Sequence, residues 1–421
     1  MGQGLAAEIT GCLSFSDSAA ENLRKLASLR VGDWKCGLDW LDSSGTALWF
    51  WDRVKESSAR DAVPTEIAVR LERNSQDHTR CIANMAEEFD SINRLFADAE
   101  VEFLVLKGFA LIPDYTPDAR LRIAYDYDYL LPVESMQRAA QALGRAGYVR
   151  RAERVDHPIV YVHTSHTVRR PSGRDDLYSA ALPRALELHT RLWEPEALRI
   201  PLCLPEDFLA RKRPRNWRGL RFYSLAEEDE LMFQVLHALR HILECWCRLY
   251  SFLEIAYFLN HRRSDSAFWR QFVERIRISP LLLQMAGVVF SLAAGIFGAA
   301  VPAIVDVEVI QPMRRPLLLW VNRYGYSSAL SNFAGNKHSL LLYRELVPDD
   351  ETWREIRRKR LFPMHRPARA AQASTSRLSS RLAAGSRQGF YVARRLLHHT
   401  ITTAQFAWES ARWERIKLAR R

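Results

Sequence analysis

Two aspartates two positions apart, Asp126 and Asp128, lie in the run Arg122-Ile-Ala-Tyr-Asp-Tyr-Asp-Tyr-Leu-Leu131. Its aromatic and β-branched content predicts a β-strand, in which alternate residues share a face. Both carboxylates therefore point to one side and the interleaved tyrosines to the other. Two like charges on an apolar strand are costly unless they are neutralised, and a divalent cation such as Mg²⁺ would do this. The pattern fits an edge strand with one polar face in water equally well.

The residues before the aspartates also suggest phosphate chemistry. Glu102-Phe-Leu-Val-Leu-Lys107-Gly108 is a short apolar run that ends in Lys-Gly, and Phe109-Ala-Leu-Ile is predicted to open a helix. A strand followed by a glycine and a helix start lets backbone N–H groups approach a phosphate. A second helix is predicted from Pro132 to a stop at Gly147. A strand and a helix are thus followed by a carboxylate strand and another helix.

Five motifs occur in an order that resembles the uncharacterised nucleotidyltransferase family, which has a polymerase-beta-type palm. They are Leu-Lys107-Gly108, Arg122-x-x-x-Asp126-x-Asp128-x-Leu-Leu, an Ala-rich helix ending Ala-Gly147-Tyr148, Ala185-Leu-Glu187-Leu-His189-Thr-Arg-Leu-Trp193, and Leu236-His237-Ala-Leu-Arg-His241 followed by Arg248-Leu-Tyr-Ser-Phe-Leu-Glu254. The likeness covers residues 65 to 305. In the wider superfamily the first motif is Gly-Ser, so the phosphate contact made by this Lys-Gly is left open.

The resemblance implies an α+β fold. A small mixed palm sheet is expected between about residues 100 and 195, flanked by N-terminal helices and a C-terminal helical bundle. We divide the chain into an N-terminal helical region (1–98), the nucleotidyltransferase palm (99–204), a C-terminal helical domain (205–345) and a basic tail, partly helical or disordered (346–421). Helical spacing of apolar residues predicts one long helix from Thr65 to Ala97.

The resemblance also implies a mechanism in which a nucleoside monophosphate moves from a nucleoside triphosphate, such as ATP, to an unidentified acceptor. Mg²⁺ or Mn²⁺ ions held by three carboxylates would stabilise the entering and leaving oxygens. Asp126 and Asp128 would be two of these catalytic, metal-binding carboxylates. Glu187 is the best third, because strand alternation separates it from Leu186 and Leu188.

The nucleotide phosphates would be bound by the Lys107-Gly108 pair and by Arg122. Lys107 would act as a point charge, and Arg122 would offer a fork of donors. The alternative for Arg122 is a surface partner of the two aspartates.

Two other function classes stay open. Tyr125 and Tyr129 depart from the family's pattern, which would suit a nucleotide-binding or scaffold protein whose chemistry has decayed. A nucleic-acid-binding protein acting through its basic tail is the third class. Three intact carboxylates favour the enzyme over the scaffold, and a nearly neutral core disfavours nucleic acid.

Composition predicts a soluble protein of two or three domains, because 421 residues exceed one typical core. Its six cysteines lack zinc spacing, and the N-terminus lacks a signal-peptide pattern, so we expect reduced thiols and a cytoplasmic location. The segment 281–301 is apolar and long enough to span a bilayer, but its glycines and alanines favour a buried helix.

Several histidines are better explained by roles other than catalysis or metal binding. His237, His241 and Glu244 share one helix face, which suits a structural or substrate-lining role more than a metal site. His157, His163 and His166, near a predicted strand pair, are expected to be exposed.

The excess positive charge belongs to the tail. Residues 366–421 hold twelve Lys or Arg and two Glu, a net +10 of the chain's +11. A linker is predicted over 371–386, followed by helical patches with aromatic residues. Such a tail would bind an anionic membrane surface, nucleic acid or an acidic partner, or would remain a solvated extension. The protein would then be cytoplasmic or peripheral at a membrane.

Overall fold

Helices surround a mixed β-sheet in the computed structural model, which describes residues 3–16, 18–151, 158–165, 177–182, 184–245, 247–331, 336–362 and 378–419. The predicted α+β class is confirmed. Seven strands pair in the order β3-β4-β5-β2-β1-β7-β6. They are β1 (Leu104–Leu106), β2 (Asp126–Leu130), β3 (Tyr148–Arg150), β4 (Ile159–His163), β5 (Ala185–His189), β6 (Arg213–Trp217) and β7 (Leu220–Ser224).

The helices fall into three groups along the chain. Before the sheet lie α1 (Gln3–Gly11), α2 (Ala19–Lys25), α3 (Val31–Ser44), α4 (Ala47–Glu56) and α5 (Thr65–Asp98). Between strands lie α6 (Met136–Arg145) and α7 (Pro195–Leu198). After the sheet lie α8 (Glu227–Leu243), α9 (Leu249–His261), α10 (Ser266–Ile276), α11 (Pro280–Phe297), α12 (Ala303–Val305), α13 (Arg315–Trp320), α14 (Tyr326–Leu330), α15 (Ser339–Leu346), α16 (Asp350–Leu361) and α17 (Leu378–Ala419).

Shorter helical turns complete the backbone. The 3₁₀ turns are Leu26–Ser28, Arg60–Ala62, Gly108–Leu111, Ala119–Leu121 and Val133–Ser135. Two π-helical segments, Asp306–Ile310 and Val321–Gly325, lie in the C-terminal helical region.

The long helix α5, which its apolar spacing predicts, covers one face of the sheet. Phe89 and Phe96 pack in the same core as Tyr127 and Tyr129 of β2. The Tyr127 hydroxyl donates to Glu88 Oε2 at 2.9 Å, and the Tyr129 hydroxyl donates to Asn93 Oδ1 at 3.0 Å. Because these tyrosines pack against α5, the alternation of side chains along the strand places the aspartates of β2 on the opposite face.

Tyr125 departs from the alternation that the sequence predicts. Tyr125 lies just before strand β2, which begins at Asp126. The Tyr125 ring lies 5.4 Å from the guanidinium carbon of Arg248. It therefore contacts the helical domain instead of sharing the environment of the two tyrosines that follow it.

The centre of the sheet is formed by β2 between two different partners. β1 runs antiparallel to β2 and places Leu106 opposite Asp128. β5 runs parallel to β2 and places Glu187 opposite Asp128. The parallel register therefore brings the third predicted carboxylate next to the second, although the two lie 59 residues apart in sequence.

The sheet extends beyond the predicted limit of about residue 195. Strands β6 and β7 form an antiparallel hairpin, and β7 pairs in parallel with β1. This hairpin lies inside the interval 205–345 that the sequence assigned to helices. Pro214 and the two arginines of β6, Arg213 and Arg215, weaken its strand pattern; proline and charge are typical of an edge strand, and β6 is the edge.

Two local helix predictions are wrong. Only a 3₁₀ turn follows Lys107, because Pro113 and Pro117 cannot continue a helix. The sequence Ser224-Leu-Ala-Glu227 has the spacing of a capping box, which predicts a helix start at Ser224, but no capping box forms there. Ser224 ends β7, its hydroxyl donates to Leu225 O, and Glu227 instead pairs with Arg213 and Arg262.

The apolar segment near residue 290 forms α11, which packs on α8 and α9. By length and composition it is the one candidate membrane span among the residues described, and 61% of it is buried inside the protein. Eleven of its residues are buried, including Phe290 and Phe297. This packing accounts for its apolar composition without a membrane.

A buried carboxyl on α8 makes stability depend on pH. Burial raises the pKa of Glu230 to about 7, against a hydrogen bond from Gln234 and the charges of Arg213 and Arg215. Between its ordinary value of 4.5 and about 7, the unfolded side chain is ionised while the folded one is protonated. Stability from this group is therefore complete below pH 4.5 and lost as pH rises through 7, a change of about 3 kcal/mol.

We expect Glu230→Gln to remove this pH-dependent contribution. The unfolding free energy of the variant, relative to wild type, should rise between pH 4.5 and 8 in denaturant titrations. Glu206→Gln, at an exposed position, is the matched control and should show no such trend. A constant difference between Glu230→Gln and wild type would contradict the buried-acid assignment.

Candidate active site

Three carboxylates meet on the open face of the sheet. Asp126 and Asp128 lie on one face of β2, and Glu187 is the register partner of Asp128 on β5. His189, two residues beyond Glu187, joins them. Its Nε2 lies 3.1 Å from Asp128 Oδ1 and 3.8 Å from Glu187 Oε2. Ligand atoms of Asp128, Glu187 and His189 all lie within 4.8 Å of one another, a spacing that suits one metal ion.

Lys107 approaches the same carboxylates from the end of β1. Its Nζ lies 2.8 Å from Asp128 Oδ1, and both side chains are buried. The backbone of Lys107 has φ of +55°, and Gly108 follows with φ of +52°. A positive φ is strained for lysine, and such strain is concentrated at functional sites. The Gly at 108 is explained by its own positive φ.

The two aspartates have opposite electrostatic environments. Burial and the neighbouring charge of Asp128 raise the pKa of Asp126, against the attraction of Lys107, Arg248 and Arg122. Burial also acts to raise the pKa of Asp128, but the charge of Lys107 and a hydrogen bond from His189 outweigh it, so this pKa is lowered. The ionised form of Asp126 is therefore disfavoured, whereas that of Asp128 is stabilised.

A cavity of about 300 Å³ opens over these residues, between the sheet and helices α8 and α9. Its walls carry both signs of charge. The cationic side chains are Lys107, Arg122, Arg191, Arg240 and Arg248, and the acidic ones are Asp126, Glu187, Glu194 and Glu244. Some of these charges are engaged with one another, since Arg240 pairs with Glu194 at 3.2 Å and Glu244 at 3.1 Å.

Two histidines of α8 face this cavity. The Nε2 atoms of His237 and His241 lie 3.2 Å apart. Burial, together with Arg248 and Lys107, lowers the pKa of His241 to about 3. Burial and Lys107 likewise hold the pKa of His237 well below its ordinary value. Both rings are therefore neutral at physiological pH. Together with Glu244, they line the cavity, as the substrate-lining interpretation predicts.

Arg122 is held by a residue that sequence reasoning did not pair with it. Its Nε lies 2.9 Å from Glu254 Oε1 of α9, and both side chains are buried. The guanidinium carbon also lies 5.6 Å from the ring centre of Tyr250. Arg122 lines the cavity, and its pair with Glu254 fixes its position there.

The predicted site residues thus gather at one place. Lys107, Arg122, Asp126 and Glu187 line the cavity, and Asp128 contacts two of the lining residues, Lys107 and His189. The alternative for Arg122, a surface partner of the two aspartates, is wrong, because its guanidinium is buried and pairs with Glu254.

Sequence reasoning missed His189 as a site residue, although the alternation of β5 that selected Glu187 also selects His189. Arg248 had no such signal, because it lines the cavity from the start of α9, far from Asp126 in sequence, where its charge acts on that carboxyl. Among the other histidines, His163 lies on β4, where its ring nitrogens form hydrogen bonds with Ser165 Oγ and Ala146 O. His157 and His166 fall outside the described residues.

Comparison with protein-family models gives one match. The model described as uncharacterised nucleotidyltransferase matches residues 31–298, which include every residue of the site described above. Searches of curated proteins and of solved structures returned no significant match.

Proposed function

Because the chain belongs to the uncharacterised nucleotidyltransferase family, we propose that it transfers a nucleoside monophosphate from a nucleoside triphosphate to an acceptor, with Mg²⁺ or Mn²⁺ as cofactor. The observation that carries the proposal is the convergence of Asp128, Glu187 and His189, with Asp126 on the wall of the same cavity. The site is assembled from strands that the family match covers.

The side chains present fit a divalent cation. Carboxylate oxygens and an imidazole nitrogen within 4.8 Å of one another form a suitable donor set. Burial and the neighbouring charge of Asp128 raise the pKa of Asp126, so a cation bound beside it would stabilise its ionised form. Asp126, Asp128, Glu187 and His189 would hold the cation, which would supply charge stabilisation for the attacking and leaving oxygens.

The chain's own cations have separate tasks in this proposal. Lys107 keeps Asp128 ionised and stands where a triphosphate would enter the cavity. Arg122 and Arg248 offer guanidinium groups from the loop before β2 and from the start of α9. Fixed positive groups of this kind stabilise the charge that develops on a transferring phosphoryl centre.

A second candidate is a nucleotide-binding protein without turnover. The ion pair of Lys107 with Asp128 favours it, because this pair neutralises one carboxylate without a metal. The intact set of carboxylates favours the enzyme. The free cysteines among the described residues support a reducing, cytoplasmic setting for either function.

The experiment follows two radiolabels in parallel. The purified full-length chain is incubated with Mg²⁺ or Mn²⁺, cell extract, and each nucleoside triphosphate labelled on either its α- or its γ-phosphate. Nucleotidyl transfer retains the α-label in a product and releases the γ-label in pyrophosphate. Retention of the γ-label instead would indicate phosphoryl transfer. Nucleotide binding without any labelled product would favour the second candidate.

We also expect Lys107→Met to make the stability of the fold more dependent on a bound cation. Without the ammonium group, the carboxylates repel one another, so the melting temperature in chelator should fall. Millimolar Mg²⁺ should then raise the melting temperature more than it does in wild type, because the added cation replaces the missing charge. Turnover should nevertheless decrease. Lys35→Met, at an exposed position, is the control. An equal Mg²⁺ response in Lys107→Met and wild type would show that Lys107 does not share the cation's site.

A further inference from the structure

The basic tail is largely one helix. Helix α17 covers Leu378–Ala419, so the linker predicted over 371–386 is wrong from residue 378 onward, and its earlier part lies outside the described residues. The C-terminal half of α17 is docked on the protein. Phe406 and Trp413 are buried, and Tyr324 OH donates to Glu409 Oε2 at 2.6 Å.

Further contacts fix the rotation of the helix about its axis. Lys337 Nζ donates to Thr403 Oγ1 at 2.6 Å, and Lys417 Nζ donates to Glu345 Oε1 at 2.9 Å. The docked face is therefore defined by residues from 402 to 417. The opposite face of α17 must point away from the protein.

That outward face is apolar. Phe390, Leu397, Ile401 and Trp408 are 71%, 61%, 48% and 73% exposed. Their spacings of seven, four and seven residues place them on one line along the helix, about 27 Å long at 1.5 Å per residue. We call these four residues the outer stripe. Exposed apolar patches of this extent mark interaction surfaces.

The charges around the outer stripe are positive. Arg394, Arg412 and Arg415 are exposed within about 40° of it on the helix. The two acidic residues of α17 are engaged within the protein, Glu409 with Tyr324 and, at 3.8 Å, with Arg412, and Glu414 with Lys417. A second copy of the helix would bring these arginines toward each other with few carboxylates to offset them. An anionic surface would offset them all.

We infer that the outer stripe is a docking surface for an anionic lipid bilayer, on which α17 lies parallel to the membrane plane. Apolar side chains on one line with flanking arginines are the pattern of interfacial helices, and Trp408 suits the headgroup level. This surface is independent of the proposed nucleotidyl transfer and would hold the protein at the membrane periphery.

The experiment compares two neighbouring leucines in the full-length chain. Leu396 is 63% exposed, nearly the same as Leu397, but points about 100° away from the outer stripe. Leu397→Glu and Leu396→Glu change the charge of the protein equally. A difference in their vesicle binding therefore reports insertion of the outer stripe into the bilayer. Wild type and Leu396→Glu should pellet with phosphatidylserine-containing vesicles and not with pure phosphatidylcholine vesicles, whereas Leu397→Glu should bind at least about tenfold more weakly.

Four outcomes would overturn the inference. They are no pelleting of wild type with anionic vesicles, equal pelleting with both lipids, equal loss in the two glutamate variants, and a lipid-free dimer that Leu397→Glu dissociates. Salt-sensitive binding to single-stranded RNA in place of vesicles would assign the tail to nucleic acid. Unchanged melting temperatures of both variants confirm that their folds are intact.

Discussion

Asp128→Asn and Asp126→Asn are both expected to reduce turnover by about a thousandfold, yet to change the stability of the metal-free protein in opposite directions. Each substitution removes a carboxylate from the proposed cation site, and several kcal/mol of transition-state stabilisation correspond to this factor. Asp128→Asn also takes the partner from the buried Lys107 and should destabilise the fold by about 3 kcal/mol. Asp126→Asn removes a carboxyl group whose pKa is raised in the folded state, and it should therefore stabilise the fold.

The pH dependence of this stability difference has a definite sign. A folded pKa above the unfolded value means that Asp126 weakens folding once it ionises. The stabilisation by Asp126→Asn should therefore be largest at neutral pH and vanish below about pH 4, where both states are protonated. Melting temperatures in chelator across this range, and turnover at neutral pH, measure the two effects.

Asp98→Asn, at an exposed position on α5, is the matched control and should leave both quantities unchanged. Mg²⁺ should raise the melting temperature of wild type and not that of Asp128→Asn. Turnover of Asp128→Asn within tenfold of wild type would remove the carboxylate mechanism. Equal signs of the two stability changes would remove the electrostatic asymmetry on which the assignment of Lys107 depends.

Glu254→Gln should produce the largest loss of stability outside the carboxylate cluster. Its carboxylate is the buried partner of Arg122, at 2.9 Å, and joins helix α9 to the loop before β2. Removing one charge of a buried pair leaves the other uncompensated, at a cost of about 3–5 kcal/mol. The midpoint of denaturant unfolding should fall accordingly, and turnover should fall with it because Arg122 is no longer held at the cavity.

The double variant Arg122→Met/Glu254→Met distinguishes charge from packing. Replacing both charges by apolar side chains should recover much of the stability lost in Glu254→Gln, while turnover stays low. Glu21→Gln, which breaks an exposed pair with Lys25, should leave the unfolding midpoint unchanged. A similarly small effect of Glu254→Gln would mean that the pair is solvated and that Arg122 does not depend on it.

The local features of the site were determined by the sequence. Alternation along β2 turns both aspartates to one face, because burying Tyr127 and Tyr129 against α5 leaves the other face for polar groups. The helical spacing of apolar residues over 65–97 likewise specified α5. Both patterns are set by neighbours within one element, so they are visible in one sequence.

Only the tertiary structure decided which distant residues complete the site. The parallel register of β2 and β5 brings Glu187 and His189 to Asp128, and no local pattern encodes a register between separate strands. Lys107 pairs with Asp128, and Arg122 pairs with Glu254. A buried charge is costly unless it is paired, and only the packed fold decides which opposite charge lies close to it. The direction of the outer stripe on α17 was likewise fixed by docking of its opposite face, through contacts made with residues some 70 to 85 positions earlier in the chain.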